Sequence, residues 1–220
     1  MTRREDAAEA TGGSTRERLL GATLRTVAEH GIAKVSARTV AAAAGVNQAL
    51  VFYHFGSVEE MLAAACEQGA RERVGRQREA LEGVGSLTDL VHVARSVHAQ
   101  ERAAGNVALL GQLLAGAQSH PALAAPTAAG LELWVAEVER VLARLLEKTP
   151  LHGVVDVPGL ARAVSASFVG LELYEAVDEK GAEAAMSSLE QLANLLSAFE
   201  ELGPITDRAV RRRLRRTTSG

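Results

Sequence analysis

Residues 36–55, SARTVAAAAGVNQALVFYHF, constrain this chain more than any other stretch of it. Two helices cross closely only where their contact residues are small, and Ala41 and Ala44 are small. A tight turn needs a residue that tolerates positive φ, which Gly45 supplies. Val46 then plugs the space beneath the turn, Val40 and Val51 face the same small core, and Asn47 stands where it can cap the next helix. The run predicts a helix, a tight turn and a second short helix whose N-terminus points outward. Such a terminus, carrying polar side chains, fits a DNA major groove.

The aromatic residues sharpen this reading. The chain has seven, and three of them, Phe52, Tyr53 and Phe55, surround His54. Phe52 and Phe55 read as core of a small domain, with Phe55 against the first helix. The polar tips of Tyr53 and His54 read as hydrogen-bonding groups for phosphate oxygens.

The flanks are helical as well. Ser14 with Glu17 forms a capping-box pattern, Leu20, Leu24 and Val27 recur at helical spacing, and Gly31 closes the run. Ser57 with Glu60 repeats the box and opens a fourth helix reaching about Leu81. Further helices are predicted over 87–104, 107–118, 122–148, 158–179 and 182–202, and the valine-rich run 154–157 between two prolines reads as a loop. The fold class expected is all-α: an N-terminal three-helix helix-turn-helix domain, then a larger helical domain. The boundaries expected are a flexible arm over 1–13, the helix-turn-helix domain over 14–74, the larger domain over 75–203 and an Arg-rich extension over 204–220.

Several function classes fall away. A single cysteine, Cys66, supports neither a disulfide framework nor a cysteine-built metal site. The beginning of the sequence has no apolar segment of the secretory kind, and the longest apolar stretch, 103–117, is interrupted by Asn106 and Gln112, so a cytoplasmic protein without a membrane span is expected. There is no Glu-x-x-His pair, no Gly-x-Ser-x-Gly and no phosphate-binding Gly-rich loop, so no metal, cofactor or catalysis is expected. A helical-bundle enzyme or metal protein is the competing class. Charge is divided unevenly: residues 1–55 hold seven basic and five acidic side chains, 56–207 eleven and twenty-two, and 208–220 six and none. A slightly basic head on an acidic body suits nucleic-acid binding by the head. The Arg-rich end reads as a solvated extension.

Residues 14 to about 74 resemble the DNA-binding domain of TetR-family transcriptional regulators. The pieces that carry the resemblance are Gly45-Val46-Asn47, the run from Leu50 to Phe55, and Phe55-Gly56-Ser57 opening the long fourth helix. The resemblance implies that Gln48 and Ala49 reach bases, and that Arg38, Thr39, Tyr53 and His54 touch phosphates; Asn47, Leu50 and Phe52 complete the candidate DNA-facing set. Leu50, Phe52 and Val58 stand where family members often carry Thr, Tyr and Lys, and each change removes a possible phosphate contact; Ala49 and Leu50 in the groove would instead meet thymine methyls.

A regulator of this kind implies double-stranded DNA with an inverted-repeat operator, a homodimer and a small-molecule effector as partners. A repressor released by a small hydrophobic ligand is expected; an activator or a ligand-independent DNA binder are the alternatives. For the dimer, Leu160, Val164, Phe168, Leu171 and Tyr174 form one apolar stripe, and Ala161, Ser165, Val169, Leu173 and Val177 another. The following helix offers Ala185, Leu189, Leu192, Leu196 and Phe199. The dimer interface expected is Val164, Phe168, Leu171, Leu189, Leu192, Leu196 and Phe199. For the effector, Gly111, Gly116 and Gly130 are expected to leave space between helices, with His92, His98, Gln112, Trp134 and Phe168 lining an apolar cavity.

Overall fold

The computed structural model describes residues 14–147, 149 and 151–200, leaving aside the side chains of residues 196 and 198–200; the expected arm over 1–13 and the Arg-rich extension lie outside the described residues. Every regular element among them is a helix. Helix α1, Thr15–His30, begins at the expected capping box: Ser14 Oγ accepts from the Glu17 N–H at 3.2 Å, and Glu17 Oε2 from the Ser14 N–H at 2.8 Å. Its inward face carries Leu19, Leu20, Ala22 and Val27. The buried hydroxyls of Thr23 and Thr26 donate back to the carbonyls of Leu19 and Ala22, each at 2.8 Å, so neither is left unpaired.

Helix α2, Ala37–Ala44, is opened by Ser36 and ended by Gly45, whose φ of 67° and ψ of 38° lie in the left-handed region. Helix α3, Ala49–Phe55, follows, and then the long α4, Val58–Glu82. Beyond them come α5, Leu87–Ala103; α6, Asn106–Ser119; α7, Ala124–Leu146; α8, Val157–Tyr174; and α9, Glu179–Glu200. The eighth helix stops earlier than its sequence suggests. Asp178 breaks the run, accepting from the Gly181 N–H at 2.9 Å and from the Tyr174 hydroxyl at 3.0 Å.

The helices form two compact units, and the chain visits the first one twice. That unit takes the described residues up to Arg73 together with Gly105–Leu131. One of its cores joins Leu19, Leu20, Val40, Ala41, Val51, Phe55 and Met61. The other joins Val27, Leu62 and Cys66 to Leu109, Leu113 and Leu123. Thus α6, expected within a larger domain over 75–203, packs with the helix-turn-helix. Two of the three glycines expected to leave space are close-packed instead: a Cβ on Gly116 would meet Ile32 and Leu123 at 3.1 Å, and one on Gly130 would meet Ala70 at 3.2 Å.

The second unit takes Val74–Ala104 and the described residues from Glu132 onward. Leu81, Val84 and Val141 form one core cluster, with Trp134 packed against it, and Val135, Leu142 and Ala161 form another. Arg144 donates to the carbonyls of Leu81 at 3.0 Å and Val84 at 2.9 Å, supplying donors that the C-terminal turn of α4 lacks. The buried Glu137 carboxylate is matched by Arg78 and Arg140.

Candidate DNA-binding surface and effector cavity

The helix-turn-helix residues assemble around the first core. Val40, Ala41, Val51 and Phe55 are buried, Ala44 and Val46 pack half-buried against them, and Gly45 makes the turn. Asn47 caps the recognition helix through Oδ1, which accepts from the Ala49 N–H at 2.9 Å. With α3 starting there, residues 51 and 55 point inward, while Gln48, Ala49, Phe52 and Tyr53 point outward. Tyr53 is 80% exposed and Phe52 53% exposed, so Phe52 is not the core residue its aromatic ring suggested. Leu50 corrects the other way: it packs against the core and does not join the exposed face. His54 is half-buried, edge-on to Tyr53 at 5.0 Å.

The expected phosphate contacts divide. Arg38 is exposed on α2. Thr39 has its hydroxyl engaged inside the protein, donating to the Lys34 carbonyl at 2.7 Å and accepting from the Ser36 N–H at 3.0 Å. This closes a capping box with Ser36, so Thr39 shapes the start of α2 and has no proton left to donate to a phosphate. A group the sequence did not disclose is Arg16, whose guanidinium lies 5.2 Å over the Phe55 ring. No local pattern links residues 16 and 55.

The second unit contains a cavity of about 470 Å³ walled by α5, α8 and α9. Of the five residues expected to line it, His98 and Phe168 do, with ring centroids 6.2 Å apart. The other three do not. His92 pairs with Glu190 at 3.1 Å on the exposed side of α5, Trp134 packs into the core beside Leu81, and Gln112 belongs to the first unit. The cause for His92 is phase, since six residues turn a helix by about 240° and place His92 and His98 on different faces.

The wall is also more charged than expected, holding Arg95, Arg102, Glu172, Glu175 and Glu183. His98 lies between two carboxylates, Nε2 at 2.5 Å from Glu175 and Nδ1 at 3.4 Å from Glu172. Glu172 is 7% exposed. Burial pushes its carboxyl above the usual range; the His98 contact pulls the other way, and the charges of Glu101 and Glu175 add to the rise. Among the described residues no cluster of groups could hold a metal ion, and no helix is long and apolar enough to cross a membrane.

The expected interface residues also divide. Phe168 and Leu171 line the cavity, whereas Val164, Leu189 and Leu192 are exposed, with Leu192 at 53% and its neighbour Leu195 at 59%. Leu196 and Phe199 lie outside the described side chains. The stripes read from the sequence fail because each step of four residues drifts about 40° around a helix. Within α8 the stripe that begins at Ala161 therefore starts in the core and reaches solvent by Leu173, and Val177 lies beyond the helix. The true outer arc of α8 runs through Ala163, Ser167, Gly170 and Tyr174 and carries no charge.

The model of bacterial regulatory proteins of the tetR family matches residues 19–65. No curated protein matches the chain. Among solved structures, a TetR-family transcriptional regulator from Rhodococcus sp. is 26% identical, with a TM-score of 0.69 over 82% of this chain and 97% of its own. A TetR-family member from Streptomyces coelicolor A3 is 29% identical, with a TM-score of 0.62 over 82% and 99%. The multidrug binding protein EbrR, solved with imidazole, is 28% identical, with a TM-score of 0.58 over 81% and 96%. The matched segment contains the turn at Gly45, the outward face of α3 and the core beneath them, and the likeness to solved regulators extends well beyond it. Residues 19–65 thus carry the DNA-binding segment of tetR-family regulators, and over about four-fifths of its length the chain is similar to solved TetR-family transcriptional regulators.

Proposed function

We infer that the protein is a cytoplasmic repressor that holds an inverted-repeat operator as a homodimer and leaves it when a small organic ligand fills the second unit. The observation that carries this reading is the cavity walled by α5, α8 and α9, in the unit without the helix-turn-helix. Holding DNA does not require such a cavity. The multidrug binding described for EbrR supports a ligand at this end of the chain by likeness. One short recognition helix reads too few bases to find a unique site in a genome, so two chains related by a two-fold axis would read two half-sites. The uncharged outer arc of α8 and the exposed Leu189, Leu192 and Leu195 of α9 support a four-helix contact between two copies. Residues of α4 occur in both units, so a ligand that favours one position of α4 would change the separation of the recognition helices.

Selection of binding sites from random DNA with the full-length chain tests the reading. The expected product is a palindrome whose half-sites lie about one helical turn apart. Gln48→Ala should change base preference at one position in each half-site, at a cost of about 1–3 kcal/mol there. Tyr53→Phe and His54→Ala should weaken binding to all sequences alike, by about 1 kcal/mol each. Recovery of no palindrome overturns the operator reading. Transcription in vitro from the selected operator separates repressor from activator.

A further inference from the structure

We propose that the cavity of the second unit is a site for an amphipathic organic cation, whose positive group pairs with Glu172 and Glu175 while its apolar body lies on Phe168 and Met186. This rests on the reading of that cavity as the effector site. Its volume, about 470 Å³, suits a small drug-sized molecule.

The charges on the wall decide which kind of molecule. Both guanidiniums are already matched by carboxylates. Arg95 holds Glu183 at 2.9 Å and Glu190 at 3.4 Å, and Arg102 holds Glu175 and Glu179. Glu172 is the exception, because its one side-chain hydrogen bond among the described residues is the long contact to His98 Nδ1 at 3.4 Å. An ionised carboxylate that is buried and weakly paired is unstable relative to one in water. Its raised proton affinity reflects the same imbalance.

A ligand cation would complete the pair. An anion would add to the charge of Glu172, Glu175 and Glu183, and a neutral donor would give Glu172 a hydrogen bond but no balancing charge. Arg95 Nε is buried without a partner, but a single N–H on a guanidinium flanked by two carboxylates calls for a neutral acceptor, not another anion. The Phe168 ring, already perpendicular to His98, offers an aromatic surface beside the carboxylates for the ligand's body.

Three molecules with one body and different charge test this: 4-phenylbutylamine, protonated at neutral pH, 4-phenylbutanol and 4-phenylbutyrate. Each is titrated into the intact full-length chain by calorimetry. The amine is expected to bind at least about tenfold more tightly than the alcohol, with the carboxylate weakest, as one charge-assisted contact would produce. Glu172→Gln should remove most of the amine's advantage and leave the alcohol's affinity unchanged, with folding checked by circular dichroism. Glu175→Gln is the second variant should the first not fold, and the ranking on the unaltered chain needs neither. An alcohol or carboxylate that binds as tightly as the amine, no binding by any of the three, or a ranking that survives both substitutions overturns the cation site. Amine binding that leaves the selected operator occupied overturns release by ligand and upholds the site. Release by the alcohol or carboxylate but not by the amine overturns the site and upholds release.

Discussion

Cys66 lies with Val27 and Leu62 in the second core of the first unit, and burial pushes its thiol up to about 11 from an ordinary 9.0. Only the thiolate is a good nucleophile. At about pH 8 the native protein should therefore resist a maleimide that labels it rapidly in guanidinium, and mass spectrometry distinguishes the two. Because the folded state holds this proton more tightly than the unfolded one, Cys66 supports folding fully below about pH 9 and loses that support as pH rises through about 11. The stability of the unaltered chain relative to Cys66→Ala should fall over that window in chemical unfolding. Single residues also show what spacing leaves open. Leu50 and Phe52 exchange the roles their side chains suggest because the inward face of a seven-residue helix is set by where it starts. The Asn47 side chain fixes that start, accepting from the Ala49 N–H at 2.9 Å.

At the scale of elements, starts were legible because caps are chemistry. Ser14, Ser36 and Ser57 each accept a backbone N–H three residues on. Ends were legible where a glycine takes positive φ, as at Gly31, Gly45 and Gly56. The end of α8 lacked that mark, and its signal was the side chain of Asp178 three residues before Gly181. Gly45 provides a clean test of turn chemistry, since no atom lies within 4 Å of where its Cβ would stand. Gly45→Ala should destabilise the protein by about 1–2 kcal/mol through backbone conformation alone. Gly45→Asn should lose less, because asparagine tolerates the left-handed region. Thermal unfolding followed by circular dichroism measures both, and an alanine variant as stable as the parent would show that the turn is not the constraint.

For the whole molecule, helical periodicity disclosed that the later helices bury apolar faces but not which helix covers which. That is why α6 changes unit and why a cavity expected to be apolar carries carboxylates. The outer face of α9 offers a test of the proposed homodimer. Leu192→Arg should leave the protein monomeric at micromolar concentration in sedimentation, without loss of helicity, because Leu192 is 53% exposed in the single chain. The two visits of the chain to its first unit bear on how the protein is made. A ribosome delivers Val27, Leu62 and Cys66 well before Leu109, Leu113 and Leu123, which pack against them. After Arg73 the chain must lengthen through residue 123, at the usual elongation rate a delay of roughly 3–10 s. Throughout that interval the apolar face of Val27, Leu62 and Cys66 lacks its partners, so the segment synthesised first must wait for α6 before its second core can close.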